Sequence, residues 1–219
     1  MNNALRGMLG AFLLSMVAPA LATIVSGSVS GGTAATAGGS FIKLTVPLAN
    51  PFGLPNSVGD DTFQSPNLYG FDEDQNIVLA VPLQVDVGTT LAVGTTVASH
   101  YVFFDPGPSQ SIIGTVSFDA PVLAILTSTN RLSASDFLAK TGVNYLNPGQ
   151  RGLEVGDSVT ISGMRQITFA TTASTPGDYV RVLTAFSPLA VPEPGTLPLL
   201  AFGMGTLGLL SLRRKLSNR

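Results

Sequence analysis

From Phe41 to Ala185 the chain runs in short apolar stretches separated by glycine, proline and aspartate, and several of them alternate with period two. Alternation places successive side chains on opposite faces of a strand, so such stretches predict half-buried β-strands. Phe41–Val46 sets Phe, Leu and Val against Lys43 and Thr45. Asn76–Leu83 is more continuously apolar and is interrupted by Pro82, which predicts an edge or a bulge there. Thr95–Phe104 stops at Asp105-Pro106-Gly107-Pro108, a turn signal, and Ser111–Phe118 alternates again. Val122–Thr127, Ser158–Ile161, Arg165–Thr171 and Asp178–Ala185 complete the series, with Gly163 and Pro176-Gly177 between the last three. Short strands with frequent turns predict an all-β fold, a sandwich or jelly roll. One stretch departs from the pattern. Ser133–Gly142 carries a capping serine, Asp136 near its start, Lys140 near its end and Gly142 as a left-handed stop, which predicts one short helix across an end of the sandwich.

The two ends follow a different pattern. Arg6 precedes the apolar stretch Met8–Val17, which is too short to span a bilayer and leads to Ala18-Pro19-Ala20-Leu21-Ala22. The small-x-small arrangement of Ala20 and Ala22 predicts a signal peptide over residues 1–22, cleaved after Ala22, with a retained anchor as the alternative. At the other end Val191-Pro192-Glu193-Pro194 precedes an uncharged stretch, Leu197–Leu212, and then Arg213-Arg214-Lys215. A helix of this length rises about 24 Å against a hydrocarbon core of about 30 Å, which local thinning can accommodate. The basic cluster predicts a single membrane-spanning helix with a cytoplasmic C-terminus. The prolines, with fixed φ and no amide hydrogen, predict an extended motif open to a processing enzyme.

Between these ends, 23–40 is rich in Gly, Ser, Ala and Thr and uncharged, and reads as a flexible leader or a loosely paired first strand ahead of a β domain over 41–190. The formal charge of −2 hides an asymmetry. Five of the 11 basic residues but only one of the 13 acidic residues lie in the ends, so residues 23–191 hold 12 acidic against 6 basic residues, a net −6. Such a surface disfavours nucleic acid, which requires clustered Lys and Arg. The absence of cysteine excludes disulfides, thiol nucleophiles and thiolate metal sites.

The candidate chemistry is sparse. His100 is the sole histidine, so any Ser-His-acid mechanism must use it, yet its neighbour Ser99 points to the opposite face of the predicted strand. A single histidine also excludes the His-Glu-x-x-His zinc pattern. Asp60, Asp61, Asp72 and Asp74, with Glu73 and several asparagines nearby, form an acidic loop region that either is simply solvated or supplies the oxygens calcium needs. Otherwise no cofactor is expected. Tyr69, Tyr101 and Tyr145 are the aromatic residues left to build a sugar platform in a chain without tryptophan. Asp105, Asp119, Asp157 and Asp178 read as turn residues, with Arg151, Arg165 and Arg181 as their surface partners.

The tail 191–219 resembles a PEP-CTERM sorting signal in the order and spacing of Pro192-Glu193-Pro194, the apolar span over 197–212 and the basic end. The resemblance implies an exported protein of a Gram-negative bacterium, handled by a membrane protease-transpeptidase, exosortase. The segments 98–105, 114–122, 135–138, 151–154 and 177–181 also resemble a recurrent domain of PEP-CTERM proteins, which implies no activity and adds no site. The expectation is a non-enzymatic protein, held transiently in the inner membrane and destined for the cell surface or extracellular matrix. The alternative is a carbohydrate-binding β-sandwich that contacts extracellular polysaccharide, assisted by calcium.

Overall fold

The computed structural model describes residues 22–186. The expected signal peptide, the motif at 191–194, the expected span over 197–212 and the basic cluster lie outside these residues, except for Ala22. Among the described residues no helix is long and apolar enough to cross a membrane.

Thirteen strands are described: β1 (Ile24–Gly31), β2 (Phe41–Lys43), β3 (Ser57–Val58), β4 (Leu68–Asp72), β5 (Ile77–Val78), β6 (Val87–Gly88), β7 (Thr96–Phe104), β8 (Gln110–Phe118), β9 (Val122–Leu126), β10 (Asn144–Tyr145), β11 (Ser158–Gly163), β12 (Gln166–Ala173) and β13 (Asp178–Ala185). A small sheet has the order β1-β8-β12-β11, and a large one β2-β4-β7-β13-β9-β6, with β5 also on β7. β3 and β10 form a separate parallel pair. The two sheets share one core: Ile24, Ile112, Val116, Phe118, Val159, Ile167 and Phe169 from the small sheet meet Leu68, Val102, Phe104, Ile125, Val180 and Val182 from the large one. The architecture is a β-sandwich with two short helices, α1 (Gly32–Thr36) and α2 (Thr129–Ala134).

A second core lies on the other face of the large sheet. There Tyr69, Phe71, Tyr101, Phe103, Tyr179 and Leu183 pack under Leu48, Val58, Phe63, Leu132, Leu138 and Val143 from the connecting segments. The large sheet is therefore covered on both faces. This explains why β7 and β13 are buried almost throughout, where a one-sided sheet would alternate.

This arrangement bears on two expectations. Of the two readings of residues 23–40, the structure shows a paired first strand and not a leader: β1 pairs antiparallel with β8 and α1 packs beside it. The strand is low in hydrophobic content because its backbone passes against aromatic bulk, and a Cβ on Gly27 would sit 2.4 Å from the Phe41 ring. The helix begins earlier than expected, at Thr129. Ser133 lies near its end, and Asp136–Leu138 forms only a 3₁₀ turn. Gly142 does take the left-handed conformation, with φ of +87°.

Candidate functional site

Ser99 and His100 point to opposite faces of β7, and each anchors a different polar network. On the sandwich side, β4, β7 and β13 bring Asp72, His100 and Thr184 into line. The His100 Nδ1 lies 2.8 Å from Asp72 Oδ1, and Nε2 lies 3.0 Å from the Thr184 hydroxyl. A hydroxyl–imidazole–carboxylate chain is the arrangement of a nucleophilic triad. Here it is sealed. His100 and Thr184 are both 0% exposed, and the imidazole packs 4.9 Å from the Phe118 ring. Asp72 also receives the Thr23 hydroxyl at 2.7 Å, the Ile24 amide at 2.9 Å and Lys43 at 2.8 Å. Burial opposes its charge, but His100, Lys43 and the Ile24 amide together hold its carboxyl well below the ordinary range. The network joins the start of β1 to the large sheet, with its hydroxyl and imidazole closed to solvent and its carboxylate partly exposed.

On the outer face, Ser99 donates to Glu73 at 2.6 Å, and Arg181 grips the same carboxylate with Nε at 2.7 Å and Nη2 at 2.9 Å. Arg181 also donates to the Ser135 hydroxyl at 2.6 Å and the Leu132 carbonyl at 3.1 Å. Tyr145 closes on Glu73 at 2.6 Å. Burial works against charge on Arg181, but Glu73 more than offsets it, so the guanidinium is held more firmly protonated than usual. Arg151 forms a two-pronged pair with Asp136 at 2.9 and 2.7 Å. The expected surface role of Arg151 and Arg181 is thus corrected: both are buried, Arg181 tying the helical segment to β13 and Arg151 tying it to the connection before β11. Tyr69 and Tyr101 are buried and Tyr145 packs beside them, so these three present no sugar platform.

The acidic loop residues are dispersed. Asp74 binds Lys140 at 3.2 Å and the Thr141 hydroxyl at 2.7 Å, while Asp72 serves His100, Lys43 and β1. Asp60 and Asp61 sit in left-handed backbone at φ of +53° and +57°. Among the described residues the carboxylates that converge within 4.8 Å are instead Glu154, Asp157 and Asp178. Asp157 and Asp178 read as turn residues in the sequence, and Glu154 carried no signal beyond its spacing of three from Asp157.

Asp105 lies buried at the end of β7. Its Oδ2 accepts the Phe63 amide at 3.0 Å, and its Oδ1 has no hydrogen-bond partner. Burial pushes its carboxyl up to about 7; the Phe63 amide opposes the rise and the nearby Asp61 charge adds to it. A raised carboxyl favours folding while protonated. Its contribution is full below the unfolded value of about 3.9 and is lost as pH rises toward 7, at about 1.4 kcal/mol per pH unit. Urea unfolding across pH 4.5–7 should therefore show stability falling with pH, and Asp105→Asn should reduce that slope. An unchanged slope in the variant would show that Asp105 is charged in the fold.

The functional signal with a counterpart among known families is at the tail. Residues 190–215 match the PEP-CTERM protein-sorting motif. The PEP-CTERM match takes in Val191, Pro192, Glu193 and Pro194 together with Arg213, Arg214 and Lys215. It supports an exported protein sorted by exosortase. No curated protein and no solved structure matches the chain.

Proposed function

We propose that this chain is an exported, non-enzymatic β-sandwich of the cell surface or extracellular matrix. The observation that carries the proposal is the PEP-CTERM motif at residues 190–215. In this reading residues 1–22 direct export and are removed. Residues 197–212 then hold the protein in the inner membrane, with Arg213-Arg214-Lys215 on the cytoplasmic side. An exosortase-like enzyme acts at Val191-Pro192-Glu193-Pro194.

Two structural features support the reading. In the hydroxyl–imidazole–carboxylate chain of Thr184, His100 and Asp72 the hydroxyl and imidazole are fully buried, and the chain links β1 to the large sheet. The Thr23 amide, which becomes the terminal ammonium on cleavage after Ala22, lies 2.8 Å from Asp119 Oδ1, so processing replaces an amide hydrogen bond by a charge-assisted one. Ala22 itself packs against Ala98 and Ala120, so cleavage after it gives up that contact. Binding of polysaccharide through Tyr69, Tyr101 and Tyr145 is disfavoured by their place in the core.

The test is fractionation of cells that hold an exosortase. The wild-type chain should reach the outer surface, and a chain with Pro192, Glu193 and Pro194 replaced by alanine should stay in the inner membrane. An identical distribution of the two would sink the proposal.

A further inference from the structure

Outside the two polar networks, one group of acidic side chains among the described residues converges with no cationic side chain paired to it. We propose that Glu154, Asp157 and Asp178 hold a calcium ion that joins the two sheets of the sandwich at one end.

The local chain geometry builds the group. Glu154–Asp157 is a tight turn closed by the Asp157 amide on the Glu154 carbonyl at 3.2 Å, with Gly156 at φ of +108°. The turn brings the two acidic side chains together just before β11. Asp157 is oriented by the Thr172 amide, which donates to its Oδ1 at 2.8 Å and leaves Oδ2 free of that bond. Asp178 enters from the connection that leaves the small sheet after β12 and begins β13 of the large one. Gly177, at φ of +91°, lets the chain pass so close to β7 that a Cβ would meet the Phe104 carbonyl at 2.9 Å. A ligand oxygen from each of the three carboxylates lies within 4.8 Å of the others. Two oxygens each about 2.4 Å from one calcium can be no further apart than that.

The independent observation is Asp178 itself. The residue is 1% exposed, and neither carboxylate oxygen has a hydrogen-bond partner. The nearby Thr171 hydroxyl is also buried without a partner. Among the described residues no Lys, Arg or His forms an ion pair with Glu154, Asp157 or Asp178. A buried carboxylate without a cation or donors is costly, so this site calls for a proton or a metal.

The space suits a hydrated hard cation. A cavity of about 210 Å³ adjoins the group, lined in part by Glu154, Asp178 and the hydroxyl residues Thr172, Ser174 and Thr175. The donors are all oxygen; the chain has no cysteine, and its single histidine is enclosed elsewhere. Oxygen donors with one exposed, adjustable carboxylate favour calcium, at the roughly 10⁻⁴–10⁻³ M affinity of extracellular modules. Such an ion would be scarce in the cytoplasm and plentiful outside, so it would tighten the fold after export.

The test is calorimetric titration of the full-length chain in detergent with calcium chloride up to about 10 mM, alongside thermal melts in calcium and in chelator. The wild-type chain should bind with the stated affinity and melt several degrees higher in calcium. Glu154→Gln lies on an exposed residue, should fold normally and should bind at least tenfold more weakly. Asp178→Asn should also lose binding, yet melt higher than wild type in chelator, because it removes the unpaired buried carboxylate. No binding by the wild-type chain at about 10 mM, or undiminished binding by both variants, would overturn the proposal. Magnesium bound as tightly as calcium would overturn the choice of ion.

Discussion

Arg181→Met should cost the β domain about 3–5 kcal/mol, read as a lower urea midpoint with an unchanged slope. The size follows from what is left behind. Glu73 is 0% exposed, and with Arg181 gone its charge keeps the Ser99 and Tyr145 hydroxyls but loses two guanidinium bonds at 2.7 and 2.9 Å. The Leu132 carbonyl and Ser135 hydroxyl lose a donor as well. Methionine fills much of the volume, so packing is not the main loss. The second half of the experiment isolates the charge: Glu73→Gln combined with Arg181→Met should cost clearly less than the sum of the two single changes, with a coupling of about 0.5–3 kcal/mol. Additive losses would mean that the pair does not meet in the folded protein.

Phe103→Ala should cost about as much, roughly 3–5 kcal/mol, by a different mechanism. Phe103 is fully buried at the middle of the outer-face core. Its ring lies 5.2 Å from Tyr69, 5.5 Å from Tyr179 and 5.0 Å from Phe63, the first two stacked and the third tilted. Truncation leaves a cavity bordered by three rings on two strands and a connecting segment, which cannot all move inward together. Phe103→Leu keeps most of the volume and should lose less than half as much. A cost below about 1 kcal/mol for the alanine variant would mean that the connecting segments do not pack on the sheet as described.

The long central strands were the most legible part of the chain. The extent of β13 agrees with the reading Asp178–Ala185, and β7 and β8 agree to within one residue, because tight turns bound them and their apolar content is high. β4 escaped notice because Gly70 interrupts Leu68–Asp72; that glycine is needed where a Cβ would come 2.9 Å from Ile24. β1 was left open between a flexible leader and a paired strand for the same reason at Gly27. Where backbones and bulky side chains crowd together, the small residues that make room resemble a flexible linker in sequence. Asn76–Leu83 failed in the opposite sense. Its apolar residues yield only β5 and a lone bridge from Leu83 to Leu91, and Val78 and Val81 are exposed.

The polar residues were harder to place than the apolar ones. Arg181 sits within Val180-Arg181-Val182-Leu183, where period two alone does not tell a buried arginine from an exposed one; its partner Glu73 is 108 residues away. The opposite facing of Ser99 and His100 was legible, since it needs only the strand. Thr184 as the partner of His100 was not, since it needs the register of β13 on β7. The convergence of Glu154, Asp157 and Asp178 likewise depends on two connections that meet only in the fold. The tail is the opposite case: its order of motif, apolar run and basic end is local, and it was readable in the sequence.

The most direct test of the account is the mass of the protein recovered from the surface of cells that hold an exosortase. The account predicts a chain that begins at Thr23 and lacks the residues after the Val191-Pro192-Glu193-Pro194 motif. A surface form whose mass still includes the apolar span and Arg213-Arg214-Lys215 would contradict it, and would make the tail a permanent anchor.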